Sequence, residues 1–203
     1  MSATASPWLS AQGLAASRGG TPLFRDLDFE LVPGLSLVLG GEGRGKTTLL
    51  SVLAGEQPPD AGVLRRHVPL QPLYVQPESP QHDAQRARDW LAQCRERQSR
   101  WSTPSADALV QAFALQEHLD KQMHMLSAGS RRKLGLLAAA ASGAGLVLLD
   151  TPFAALDGRS RAVLVELLRE ACASRDQVWV LADYVRPAGL DPRDFALHLD
   201  LGD

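Results

Sequence analysis

The chain has 203 residues, 45% of them hydrophobic and 22% charged, with a formal net charge of −2. That length holds one sizeable α/β domain with a small insertion, and the composition is that of a globular chain. The charge balance gives no bulk electrostatic case for nucleic acid as a partner. Cys94 and Cys172 are lone residues in helical patterns. They give neither a disulfide framework nor metal spacing, which fits a reducing cytosol. Met1 to Pro7 has no basic start and no apolar core, so no leader is read there. The longest uncharged run, Leu134 to Leu149, is shorter than a membrane span and is broken by Ser142-Gly143-Ala144-Gly145. It reads as helix, turn and strand, so a membrane role has to come through a partner.

In chain order, Trp8 to Ser17 and Leu23 to Val32 read as antiparallel strands around the turn Gly19-Gly20-Thr21-Pro22. Asp26, Asp28 and Glu30 alternate with Leu27, Phe29 and Leu31, which is strand period. Pro33-Gly34 turns the chain into a buried strand carrying Leu35, Leu37 and Val38. Next come Gly40, Gly41, Glu42, Gly43, Arg44, Gly45, Lys46, Thr47 and Thr48. They fit G-x-x-x-x-G-K-[ST], the phosphate-binding P-loop. Lys46 to Ala54 reads as the following helix, closed by Gly55. Strand, glycine turn and helix N-terminus form an anion cradle: glycines let N–H groups face phosphates, and the helix end adds partial positive charge. Lys46 is the group to reach β- and γ-phosphates, and Thr47 the hydroxyl to ligate Mg²⁺.

Gln57 to Gly62 is a turn. Val63-Leu64 and Leu73 to Val75 read as short strands, the second ending at Gln76. Composition then becomes polar. Asp83 to Arg100 reads as one helix and Ser105 to Leu119 as another, with Ser105 as its N-cap. Residues 77–126 are therefore expected to be a small helical subdomain set into a core of 1–76 and 127–203. Arg86, Arg88, Arg95, Arg97 and Arg100 read as a solvated helix face. Gly145 to Asp150 is a buried strand ending in a carboxylate. Gly158 to Ala173 is an amphipathic helix capped by Asp157, and Gln177 to Ala182 and Phe195 to Leu201 are the last strands. This alternation argues for a mainly parallel α/β sheet.

Leu126 to Ser130 reads L-S-A-G-S, and Leu146 to Asp157 reads L-V-L-L-D-T-P-F-A-A-L-D. P-loop, Gln76, L-S-A-G-S, Asp150 and A-L-D stand in the order of the nucleotide-binding subunit of ABC transporters, which the chain resembles over nearly its whole length. Within that family the short length, the L-S-A-G core and P-F-A-A-L-D look similar to the haem-exporter ATPase subunits of cytochrome c maturation. The resemblance implies an ABC-ATPase fold, ATP with Mg²⁺ as ligands, transmembrane subunits as partners, and a place on the cytoplasmic face of the membrane. Asp150 matches the Walker B carboxylate and Gln76 the Q-loop glutamine, both at the metal. Ser127 and Gly129 match the signature, which closes over nucleotide on a second ATPase subunit in a head-to-tail dimer. Leu156 and Asp157 match the D-loop at the same interface.

Three positions depart from that pattern. The family's catalytic glutamate follows the Walker B aspartate, and here that residue is Thr151. A threonine hydroxyl cannot take a proton from water near pH 7. Loss of a positioned base costs about 10²- to 10⁴-fold in rate, roughly 3 to 5.5 kcal/mol of barrier. The switch histidine aligns with Asp183, which accepts hydrogen bonds rather than donating them and repels a γ-phosphate. Asp183 is also the candidate replacement base. The family's adenine-stacking aromatic aligns with Arg18, whose planar guanidinium can also stack. The sequence therefore points to Mg-ATP binding with weak hydrolysis at its own site. The alternative from another class is a non-hydrolysing ATP-binding regulator or scaffold.

Overall fold

A computed structural model describes residues 6–202. Met1 to Ala5, and with them most of the segment read as lacking a leader, lie outside the described residues. The chain divides into two compact units. The first holds the residues up to Tyr74, Gly145–Thr151 and those from Leu168 on; the second holds Val75–Ala144 and Pro152–Leu167.

The first unit contains β1 (Leu9–Arg18), β2 (Thr21–Leu31), β3 (Gly34–Leu39), α1 (Lys46–Ala54), β4 (Ala61–Arg66), β5 (Pro72–Tyr74), β6 (Leu146–Asp150), β7 (Val178–Asp183) and β8 (Leu197–Asp200). β2, β1 and β4 form an antiparallel sheet in that order. Gly19 and Gly20, with φ of +58° and +81°, make the two-residue hairpin turn between β1 and β2, whose twist favours positive φ at both positions. The other five strands form a parallel sheet in the order β5-β6-β7-β3-β8. β3 and β7 are almost continuously buried, and four of the five residues of β6 are buried. Unbroken apolar runs of this kind belong to parallel strands covered on both faces. Leu9, Leu14, Leu31, Leu49, Leu50, Leu146 and Val180 anchor the core of this unit.

The second unit contains α2 (Ala87–Glu96), α3 (Thr103–Ala112), α4 (Ala128–Ala141) and the first ten residues of α5 (Gly158–Ala173). α2 and α3 pack on α4. Trp90, Leu109, Phe113, Met123 and Leu134 are buried here.

The mainly parallel α/β sheet with an antiparallel part is as the sequence implied, and strand limits shift by only a residue or two. α1 and α5 have the expected limits, while the two helices expected over 83–100 and 105–119 need correction. Residues 83–86 and 97–100 lie outside α2. The carbonyls of Asp83 and Gln85 accept from the His124 and Met123 amides, and Ala87 donates to Lys121, so that backbone is satisfied before α2 begins. α3 starts two residues earlier than expected, and its N-cap is Ser102 rather than Ser105. The Ser102 hydroxyl accepts from the Ser105 amide at 3.2 Å, and Pro104 fits the first turn, where no N–H is needed. It ends near Ala114, whose φ of +52° stops the ladder, so Leu119 stands outside the helix.

Gly62 has a φ of +85°, and a Cβ there would lie 2.3 Å from the Gly13 carbonyl oxygen across the β1–β4 pair. Gly62→Ala is expected to destabilise the protein by about 2 kcal/mol, lowering Tm by about 4–8 °C in a thermal melt.

Candidate functional site

β3 ends at Leu39, the chain turns through residues 40–45, and α1 begins at Lys46. Gly45 sits at the N-cap with φ +89°. A Cβ there would come within 2.8 Å of Leu23 Cβ and 3.0 Å of the Phe24 ring, so both backbone and space demand glycine. Gly43, at φ +75°, faces open space. Gly45 offers no side chain to cap α1. The helix therefore presents its first amides and the positive end of its dipole to an external anion. Glu42 and Arg44 are exposed on the loop. Gly40 is buried, and the Gly41 amide is engaged with the Gly202 carbonyl at 2.9 Å.

Lys46 is only 6% exposed. Its ammonium donates to the carbonyls of Gly40 at 2.6 Å and Gly41 at 2.7 Å. The Tyr184 ring covers it, with 3.8 Å from Nζ to the ring centroid. Burial lowers the lysine pKa, while the negative charges of Asp150, Asp183 and Glu42 resist that shift.

The Thr47 hydroxyl donates to Asp150 Oδ2 at 2.5 Å, and the Tyr74 hydroxyl donates to the same oxygen at 3.3 Å. In register, Asp150 lies opposite Ala182, and Leu39 opposite Asp183. Thr151 has φ +42°, unusual for a β-branched residue, and its amide donates to the Ala182 carbonyl at 2.8 Å. Asp183 ends β7, is 8% exposed, and accepts the Tyr184 amide at 2.8 Å. A cleft of about 180 Å³ runs between Lys46, Thr47, Thr48, Asp150, Thr151 and Tyr184, with Arg18 and Leu23 on its wall. That space suits phosphate groups; a whole small-molecule pocket takes about 300 Å³ or more.

The donor set also fits a magnesium ion. A hydroxyl and a carboxylate oxygen converge at α1 and β6, both of them hard oxygens. Mg²⁺ takes one or two such protein ligands and fills its octahedron with water and phosphate.

Gln76, Ser127 and Gly129 belong to the second unit. Gln76 is exposed just beyond β5, and its carbonyl accepts the Ser79 amide at 3.1 Å. Ser127 caps α4, accepting from the Ser130 amide at 3.1 Å. A Cβ on Gly129 would lie 2.5 Å from the Ala155 carbonyl oxygen. Three consecutive basic residues of α4 tie this unit together. Arg131 pairs with Asp83, Arg132 with Glu78 and the Ala154 carbonyl, and Lys133 with Asp157. The other Asp157 oxygen accepts from the Ser160 amide and caps α5.

The structure thus brings Arg18, Gly43, Gly45, Lys46, Thr47, Thr48, Asp150 and Thr151 to one cleft. Two residues that the sequence reading left out join the site: Tyr184 lines the cleft, and Tyr74 bonds to Asp150. Tyr184 directly follows Asp183, and Tyr74 stands two places before Gln76, so each lay beside a position already singled out.

A parallel sheet with a glycine loop, an uncapped helix N-terminus, a buried lysine and a strand-end carboxylate beside a helix threonine defines a P-loop nucleotide-binding protein. The ABC transporter family model matches residues 24–154. The chain is 37% identical over 175 residues to the cytochrome c biogenesis ATP-binding export protein CcmA of Hyphomonas neptunium, covering 83% of this chain and 86% of that protein. It is 34% identical over 198 residues to the CcmA of Ruegeria pomeroyi, covering 96% and 86%. A solved Pyrococcus furiosus protein assigned as an ABC transporter ATP-binding protein superposes with a TM-score of 0.74 over 95% of this chain and 96% of that one. At 18% identity that likeness speaks for the fold alone. The chain belongs to the ABC transporter family, as an ATP-binding subunit. No described helix is long and apolar enough to cross a membrane.

Two outcomes are expected. Lys46→Ala weakens Mg-nucleotide binding by about 10- to 100-fold in calorimetric titration, because a charge-assisted contact to phosphate is lost. The Lys133 ammonium and the Ser160 amide hold the Asp157 carboxyl well below the usual carboxylate range. Its folded pKa is depressed, so its stabilising contribution is present above the ordinary value of about 3.9 and is lost only as pH falls through the folded value. The carboxyl carbon shift of Asp157, followed by NMR, stays in its ionised position at pH 3, where ordinary aspartates have titrated.

Proposed function

We propose that this chain is the Mg-ATP-binding subunit of an ABC-type membrane exporter, and that it hydrolyses ATP weakly at its own P-loop. The observation that carries this is Thr151. It occupies the place directly after Asp150 where the family has its base, and it presents a hydroxyl on a left-handed backbone. Export is favoured over import because the two relatives named above are export proteins.

In this reading, the first amides of α1 and the Lys46 ammonium bind the β- and γ-phosphates. Thr47 and Asp150 would hold Mg²⁺, and for Gln76 the motif order alone argues a role toward the metal. The metal, when bound, offsets phosphate charge and polarises the γ-phosphoryl group. Arg18 lies on the cleft wall, where a guanidinium can stack on adenine. Binding and orientation are then intact, while removal of a proton from the attacking water is not. Asp183 is the nearby carboxylate, but it already accepts the Tyr184 amide.

Ser127 and Gly129 serve a second ATPase subunit across a head-to-tail dimer, and transmembrane subunits complete the transporter. A partner carrying an intact glutamate gives a pair with one slow and one competent site. We take 1–203 as one ABC ATPase domain with residues 77–126 as its helical insertion, working on the cytoplasmic face of the membrane. The second reading, a non-hydrolysing ATP-binding regulator or scaffold, draws on the same Thr151 and Asp183 and differs in lacking a membrane partner.

Thr151→Glu tests the proposal. It is expected to raise ATP turnover by about 10²-fold or more. It also removes a β-branch from a left-handed position, so Tm holds or rises. Ordinary family turnover in the wild type, unchanged by Thr151→Glu, would show that another group is the base.

A further inference from the structure

A lysine ammonium has three N–H donors and no acceptor. In Lys46 two of them are spent on the Gly40 and Gly41 carbonyls, at 2.6 and 2.7 Å. The Tyr184 ring takes another face, 3.8 Å from Nζ, well within the roughly 6 Å reach of a cation–π contact. Lys46 is 6% exposed, so this contact is largely shielded from water. Tyr184 is 53% exposed, and the next residue, Val185, is 70% exposed. Packing holds the lysine in place but not the ring. The base of the ring is anchored differently: the Asp183 carboxylate, 8% exposed, accepts the Tyr184 amide at 2.8 Å. The backbone is pinned at the strand end, while the side chain beyond it stands half in solvent.

We propose that Tyr184 is a displaceable plug on the P-loop lysine, occupying the face of Lys46 that a β- or γ-phosphate must take and thereby setting the affinity of the site for nucleoside di- and triphosphates. This rests on the P-loop reading above. Asp183 is then the positioning residue that fixes the root of the plug. The competition is between a ring quadrupole and a full phosphate charge, so the phosphate wins, but at a reduced apparent affinity. The apparent affinity is the intrinsic affinity multiplied by the share of molecules in which the ring is off. A cation–π contact of ordinary strength corresponds to a factor of about 2 to 30. The plug acts on phosphates that reach Lys46. It therefore weakens ADP and ATP alike, and it has no grip on AMP.

The test is calorimetric titration of Mg-ADP and of a Mg-bound, non-hydrolysable ATP analogue. The proteins are wild type, Tyr184→Ala, Tyr184→Phe, Lys46→Ala and the double variant Lys46→Ala/Tyr184→Ala, each checked for fold by its thermal melt. Tyr184→Ala is expected to bind both ligands about 2- to 30-fold more tightly than wild type. Tyr184→Phe, which keeps the ring, restores wild-type affinity. The double variant shows no gain over Lys46→Ala, since the ring has no ammonium to cover. Unchanged or weaker binding by Tyr184→Ala overturns the plug. So does an equal gain in the Lys46→Ala background. If folded wild type and folded Tyr184→Ala both bind neither ligand, the P-loop reading itself fails, which is a different result from binding that is indifferent to the ring.

Discussion

The in-register parallel pairing of β6, β7 and β3 is the constraint on which the site depends. It sets Asp150 beside Ala182 and Leu39 beside Asp183. Three strands therefore end at one edge of the sheet, and each delivers a different part: the loop before α1, the carboxylate that meets Thr47, and the residue that anchors Tyr184. Side chains alternate along a strand, so a slip of one residue would turn Asp150 to the other face and separate it from Thr47. What prevents the slip is burial. Leu146 to Leu149 and Val178 to Leu181 are at most 5% exposed on both faces, and a slip along the strands would draw the strand-end carboxylates toward that apolar interior.

Two local costs sit on that edge. Lys46 is a buried ammonium, disfavoured by loss of water and held charged by the carboxylates around it. Thr151 is a β-branched residue in the left-handed region, a conformation worth about 1–3 kcal/mol of strain. The ladder over-determines it, since its amide continues the β6–β7 pairing into the Ala182 carbonyl. Strain beside a cleft and a cation held under an aromatic ring are both features of a site built for a ligand rather than for stability.

Much of this was legible in the chain itself. The glycine spacing of 40–45, the apolar run before it and the helical run after it fixed strand, loop and helix together, because each has its own periodicity. The identities of Thr151 and Asp183 could be read directly. The left-handed backbone of Thr151 could not, because it follows from where β6 is made to end. The start of α3 was misjudged because Ser102 and Ser105 both look like caps, and only Pro104 in the first turn separates them. Tyr184 was missed for a different reason. Its contact with Lys46 joins residues far apart in sequence, and neither carries a spacing pattern that points to the other.

Gly129 has a further consequence. A single methyl group there would collide with the carbonyl of Ala155, which is itself left-handed at φ +58°. Ser127, two residues earlier, already has work as the cap of α4. Ser127 and Gly129 therefore answer to demands made inside their own unit, before any nucleotide or second subunit is considered. A lineage of such chains that gave up catalysis would still be held to this serine and glycine by the need to fold. The demands on Ser127 and Gly129 are thus separate from any demand on position 151, and a change at one does not require a change at the other.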